Sequence, residues 1–139
     1  MKKNELVSNL IKGCPVALLC TPEADGSMRM RPMIPPKQKF EGSLRFLIEA
    51  TAVKFLGSRG TAPVSLGYVN PEAERFVSIA GTARVVDDQK AVAALWSEQF
   101  KAWFKNGKTD RNIAVLQVDV SRVESWDARQ GGHTKLSFD

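Results

Sequence analysis

Two extended segments joined by an Asp-Gly turn constrain this chain more than any other feature. Pro15–Thr21 is almost continuously apolar over the length of a strand, and Ser27–Ile34 alternates residue by residue. Between them Pro22–Gly26 ends in Asp25-Gly26, a dipeptide suited to the positive φ angles of a tight hairpin turn. Successive side chains on a strand point to opposite faces. Met28, Met30 and the pair Pro32/Ile34 therefore share one side, and Arg29, Arg31 and Met33 the other. The alternation predicts one apolar face and one face presenting both arginines. An early hairpin favours antiparallel pairing, because parallel strands need a crossover of a dozen or more residues.

The same punctuation continues downstream. Residues 3–13 form an amphipathic helical pattern, with Leu6, Val7, Leu10 and Ile11 on one face and Gly13 as the stop. Pro35 and Pro36 end the second strand or confine it to an edge. Glu41-Gly42 turns the chain into a third strand, Ser43–Ile48, and Ala52–Arg59 has the composition of a short helix stopped by Gly60. Ala62–Val69 is a fourth strand. Glu74–Val86 is a long fifth one, with Gly81 marking a bulge or a close backbone approach. Asp87-Asp88 supplies an N-cap, and Val92, Leu95, Trp96, Phe100 and Trp103 make a helical stripe. After the polar loop Lys105–Asp110, a last β segment runs from Ile113 to Trp126. The sum is a mainly β (α+β) chain: about six antiparallel strands in a small barrel or sheet pair, flanked by two or three helices. Residues 1–127 make one domain. Residues 128–139, polar and glycine-containing, read as a poorly ordered tail.

Several function classes are disfavoured. Cys14 and Cys20 are too few to staple a fold and lack metal-site spacing, and His133 is the only histidine, so no His-based metal site or triad is expected. No apolar run approaches the roughly 20 residues of a membrane span. Lys2 and Lys3 are not followed by the apolar region of a signal peptide, which leads to the expectation of a cytoplasmic protein. The net charge of +5 permits nucleic-acid binding. The lysines and arginines are dispersed, however, and not interleaved with aromatic residues, so nucleic acid is not the expected partner.

What remains is a cation cluster. Arg29 and Arg31 share a strand face, and Lys54 follows the third strand where a short helix begins. Guanidinium forks match phosphate oxygens and an ammonium adds a point charge, so a phosphate-bearing ligand is the natural counterpart. Glu49 would repel such a ligand and is expected instead to pair with Arg29 or Arg31. Trp96 belongs to a core face, whereas Trp103 fits either a dimer interface or a helix lid. No carboxylate pair has the spacing of an acid–base couple.

The order of these pieces resembles the pyridoxamine 5'-phosphate oxidase-like, FMN-binding split-barrel family, and within it the bacterial general stress proteins. The similarity covers about residues 5–127. It is carried by Asp25-Gly26, Arg31-Pro32-Met33, Phe46-Leu47 with Lys54, Val77-Ser78-Ile79-Ala80-Gly81-Thr82-Ala83, Asp88, Leu95-Trp96, Asp110 and Glu124-Ser125-Trp126-Asp127. The resemblance implies a six-stranded antiparallel split β-barrel and a homodimer with FMN sites at the subunit interface. It places Arg31 and Lys54 at the phosphate; Arg29, on the same strand face, is either a further ligand contact or a solvent-facing strand residue. Met33, Ile48 and Glu49 would run along the ribityl chain and isoalloxazine, and a partner subunit would cover the ring, with Trp126 either that cover or a core residue.

Family members commonly carry hydroxyl residues where this chain has Ile48 and Ala52. A lost hydrogen bond costs about 0.5–1.5 kcal/mol, or about 1.5–3 to a charged group, so two losses would weaken FMN binding roughly ten- to a thousandfold. The implied function is an FMN-binding flavoprotein of the general stress type, an oxidoreductase acting on a small molecule. The alternative is a non-enzymatic dimeric stress protein, or a flavin or phosphate-ligand binding module with a degenerate FMN site. Pyridoxamine 5'-phosphate oxidation itself is not expected, because the chain is short and the substrate-phosphate residues near the C-terminus are not found.

Overall fold

A computed structural model describes residues 2–138. The elements are α1 (Lys3–Ile11), β1 (Ala17–Pro22), β2 (Met28–Met33), β3 (Ser43–Glu49), β4 (Thr61–Asn70), β5 (Arg75–Val86), α2 (Gln89–Leu95), β6 (Ile113–Asp127) and β7 (Gly132–Ser137). Every strand pair is antiparallel, and the path runs β2-β1-β4-β5-β6-β3, with β7 added beside β6. Its two ends, β2 and β3, do not pair with each other. The curled sheet is therefore a split barrel, open along one seam.

Alternation fills the barrel. Leu19, Leu66, Ile79, Leu116, Val118 and Val123 are essentially inaccessible to solvent, as are Phe40, Phe46 and Tyr68. Burying a side chain of this size stabilises the fold by about 1.5–3 kcal/mol. Helix α1 contributes the buried Val7 to this core, and its Ser8 hydroxyl accepts a hydrogen bond from the Phe40 N–H at 3.1 Å. A second cluster on β3 and β6 joins Leu47 and Val115 to Val92, Leu95, Phe100 and Phe104. Asp88 caps α2 by accepting from the N–H groups of Lys90 and Ala91. It also lies 3.5 Å from Arg45 on β3, whose Nε donates to Gln117 on β6. One polar chain thus fixes α2 to the sheet. Gly81 marks a bulge, as its place in the sequence predicts: the β5–β6 register shifts between Ala80 and Gly81. A Cβ at Gly81 would collide with the Asp119 carbonyl oxygen.

Three local expectations are corrected and one is completed. The two faces of β2 separate as predicted, and the side of Met28 and Met30 is the outward one. Met28 and Met30 are 60% and 65% exposed, while Met33 is in the core and Arg31 is drawn inward by Thr21 on β1 and Glu23 in the hairpin turn. The helix expected over Ala52–Arg59 is two single turns, Ala50–Ala52 and Lys54–Leu56, ended by Gly57 at φ 66°. The stripe from Val92 to Trp103 is not one helix, because α2 stops at Leu95 and Trp96 is extended. A short turn, Glu98–Ala102, follows. The apolar face survives the break, with the Trp96 ring 5.7 Å from Phe100 and 6.5 Å from Phe104. Finally, the segment expected to be poorly ordered forms β7, pairing Asp127↔Gly132 through Arg122↔Ser137. The reason is its own alternation: Leu136 and Phe138 pack on the core while Lys135 and Ser137 face water.

Candidate functional site

The seam between β2 and β3 holds a cavity of about 280 Å³. One wall is β2 and its exit, with Arg29, Arg31 and Met33; the opposite wall is β3, with Leu47, Ile48 and Glu49, followed by Ala52. The segment after α2 closes a third side with Phe100, Trp103 and Phe104. Because both flanking strands are sheet ends, their backbone groups on the seam side are not used in strand pairing. The cavity thus joins cations, an aromatic wall and unused backbone donors and acceptors.

Arg31 is the most constrained of these groups. Its Nη1 donates to the fully buried Thr21 hydroxyl at 2.6 Å. Its Nη2 lies 3.9 Å from Glu23, and its guanidinium stands 5.4 Å from the centre of the Phe55 ring. Burial lowers the Arg31 pKa and the neighbouring Arg29 charge lowers it further, while Glu23 acts in the opposite sense. Arg29 is opposite Thr21 in the register and exposed, and its side chain has no ion pair among the described residues. Glu49 is exposed at the cavity edge. It pairs with neither arginine; the carboxylate beside Arg31 is Glu23, from the hairpin turn.

The structure thus brings together five of the seven predicted site residues: Arg29, Arg31, Met33, Ile48 and Glu49 line one cavity. Lys54 and Trp126 do not. Lys54 is exposed on the turn that carries Phe55 beneath Arg31. Trp126 stacks on His133 with ring centroids 5.4 Å apart. It stands near one end of β6, while Ile113, opposite Glu49, is at the other. At ~3.3 Å per residue, about 40 Å of strand separates them. Trp126 therefore cannot cover the cavity of its own protomer. The aromatic wall was missed as a unit, although Phe100, Trp103 and Phe104 have the i, i+3, i+4 spacing of one helical face. Thr21 and Glu23 carried no signal beyond strand and turn propensity.

A split barrel with a cation-bearing, aromatic-walled cavity at its open seam defines the class of this protein. The sequence matches the family described as pyridoxamine 5'-phosphate oxidase like over residues 2–138, and the chain belongs to that family. Solved structures share the fold. General stress protein 26 from Bacillus anthracis strain Sterne has a TM-score of 0.76 at 16% identity, with 98% of this chain and 100% of that one covered. A Clostridium acetobutylicum protein related to general stress protein 26 of B. subtilis, of the pyridoxinephosphate oxidase family, has a TM-score of 0.77 at 13% identity, covering 97% and 94%. The general stress FMN/FAD binding protein from Xanthomonas citri has a TM-score of 0.73 at 24% identity, covering 98% and 94%. No functionally curated protein matches the sequence. Among the described residues no group of His, Cys, Asp and Glu could hold a metal ion, and no helix is long and apolar enough to cross a membrane.

Proposed function

We propose that this chain binds FMN in the β2–β3 seam and works as a homodimeric flavoprotein of the general stress type, an oxidoreductase for a small molecule. The observation that carries this reading is the pairing, in one cavity, of the Arg29 and Arg31 guanidiniums with the wall of Phe100, Trp103 and Phe104. Apart from the carboxylate of Glu49 at the cavity edge, unpaired among the described residues, the residues fit the group. The arginines would take the phosphate, with Lys54 adding charge from outside the cavity. The aromatic wall, Met33 and Ile48 would offer the ring system apolar contact, and the free backbone groups of β2 and β3 would meet its polar edge. Bound there, FMN would supply the redox chemistry; the chain orients it and excludes water. The Xanthomonas citri relative, described as FMN/FAD binding, supports the same ligand class.

Two observations support a homodimer. Leu18, Met28, Met30, Val69, Phe76 and Trp126 are large apolar residues exposed by 39–65%. Exposed apolar surface of this extent marks interaction sites. The cavity, about 280 Å³, lies at the lower limit of ligand pockets, roughly 300–1,000 Å³. A half-site completed by a second copy has this character, and Trp126 of that copy is the group proposed to cover the ring.

A second reading also rests on an observation. Ile48 and Ala52 line the cavity with methyl groups, and Lys54 stands outside it. This favours a phosphate-ligand or flavin binding module without turnover. Titration with FMN separates a binding site from a lost one. NAD(P)H consumption by the loaded protein then separates an oxidoreductase from a binding module.

A further inference from the structure

Glu23 has no part in the reading above, yet it is the acidic residue nearest the Arg31 guanidinium. We propose that Glu23 is a built-in counter-ion that competes with an anionic ligand for Arg31, so that the seam takes up a phosphate by displacing it. The proposal rests on the phosphate reading of the cavity and assigns a residue that sets its affinity.

The geometry begins in the register. Arg31 is opposite Leu19, and Thr21 is the next residue on the same side of β1. Glu23 follows two residues later. The Arg31 side chain reaches along this row, donates to the Thr21 hydroxyl at 2.6 Å and stops 3.9 Å short of the Glu23 carboxylate. That separation is an ion pair but too long for a hydrogen bond. The Glu23 Oε1 nearest Arg31 is sealed from solvent and has no hydrogen-bond partner among the described residues. Buried carboxylate oxygens normally find donors. Here one is held by charge attraction alone, so it forfeits no hydrogen bond when the side chain swings out.

Release is also local. Glu23 opens the hairpin turn, where its N–H donates to the Ser27 carbonyl at 2.9 Å and its carbonyl accepts from the Gly26 N–H at 3.1 Å. The backbone is fixed, and 31% of the side chain is exposed, so rotation about side-chain bonds suffices. Once Glu23 leaves, Arg31 stands two residues from Arg29 on the same strand face, with no carboxylate between them. Two adjacent guanidiniums form a doubly charged anion site. A phosphate meets Glu23 as a competitor; an uncharged ligand does not.

The test compares FMN, riboflavin and inorganic pyrophosphate as ligands for the wild type, Glu23→Gln and Glu23→Ala, by fluorescence titration for the flavins and thermal protection for pyrophosphate. Expected is about two- to fivefold tighter FMN binding in both variants, stronger protection by pyrophosphate, and unchanged riboflavin affinity. In an Arg31→Ala background the effect of Glu23→Gln should vanish, which a structural role of Glu23 in the turn would not produce. If neither flavin binds any variant while pyrophosphate protects Glu23→Gln more than the wild type, the flavin reading fails and the counter-ion stands. Unchanged or weaker binding of both anions in the variants, or equal tightening of riboflavin and FMN, overturns the proposal.

Discussion

Phe138 stands edge-on to Phe40, with ring centroids 5.4 Å apart and planes at 78°. The C-terminal strand thus closes the core that α1 and β3 begin, and Lys3 of α1 donates to the Ser137 carbonyl at 2.7 Å. Replacing Phe138 by Ala removes a half-buried ring and its edge-to-face contact, with an expected loss of about 1–3 kcal/mol. Urea denaturation monitored by circular dichroism measures it. A midpoint equal to that of the wild type would show that β7 is dispensable.

Of the glycines, Gly81 is the one whose backbone lies too close to its neighbours to admit a side chain. A methyl group there would meet the Asp119 carbonyl oxygen and lie 2.8 Å from Val118 Cγ1, so β5 and β6 would have to separate locally. Gly81→Ala is expected to destabilise the protein by about 1–3 kcal/mol through overpacking. Gly26→Ala, with nothing near its Cβ but φ at +87°, is strained for a different reason and leaves the β5–β6 contact intact. Amide exchange should therefore separate the two: faster along β5 and β6 for Gly81→Ala, confined to the β1–β2 turn for Gly26→Ala.

Tyr68 gives the protein an alkaline limit. Burial raises its phenol pKa, and the nearby Cys14 charge adds to the effect. The unfolded chain releases this proton near pH 10, about the ordinary tyrosine value, while the folded chain keeps it to higher pH. The unfolded state then binds fewer protons, so stability is complete below about pH 10 and falls as the pH rises above it. Tyr68→Phe should flatten that decline in thermal denaturation measured from pH 8 to 11. An equally steep decline in the variant would assign the loss to other groups.

The exposed apolar residues of the outer sheet face yield an assembly prediction. Met30→Asp combined with Phe76→Asp places two carboxylates on that surface without touching the core, since Met30 and Phe76 are 65% and 50% exposed. Light scattering after size exclusion should give twice the chain mass for the wild type and a single chain mass for the double variant. A dimer that survives both substitutions would place the interface elsewhere.

Much of this architecture was legible because strand alternation and turn chemistry are local. The Asp25-Gly26 turn, the Gly81 bulge and the spans of β3 to β6 follow from residues adjacent in sequence. Sidedness was not local. The alternation of β2 divides Met28 and Met30 from the arginines and Met33 correctly, but which set turns inward depends on Thr21 and Glu23 across the hairpin. An inward Arg31 is tolerable only because they satisfy it. The C-terminal strand was hidden by its polar residues, since only Leu136 and Phe138 reveal the inward row. The cavity was half legible: five residues from β2 and β3 meet there, whereas the aromatic wall depends on a break after Leu95 that no glycine or proline announces.

The most direct measurement is a fluorescence titration of the purified protein with FMN, alongside Arg29→Ala, Arg31→Ala and Lys54→Ala. Arg29→Ala is the cleanest variant, because that side chain has no ion pair among the described residues. The predicted result is saturable binding by the wild type, weakened roughly ten- to 150-fold by loss of either arginine, as expected for about 1.5–3 kcal/mol per charged contact. A smaller loss is predicted for Lys54→Ala. No saturation at high FMN, or full affinity in both arginine variants, would contradict a flavin phosphate site in the β2–β3 seam.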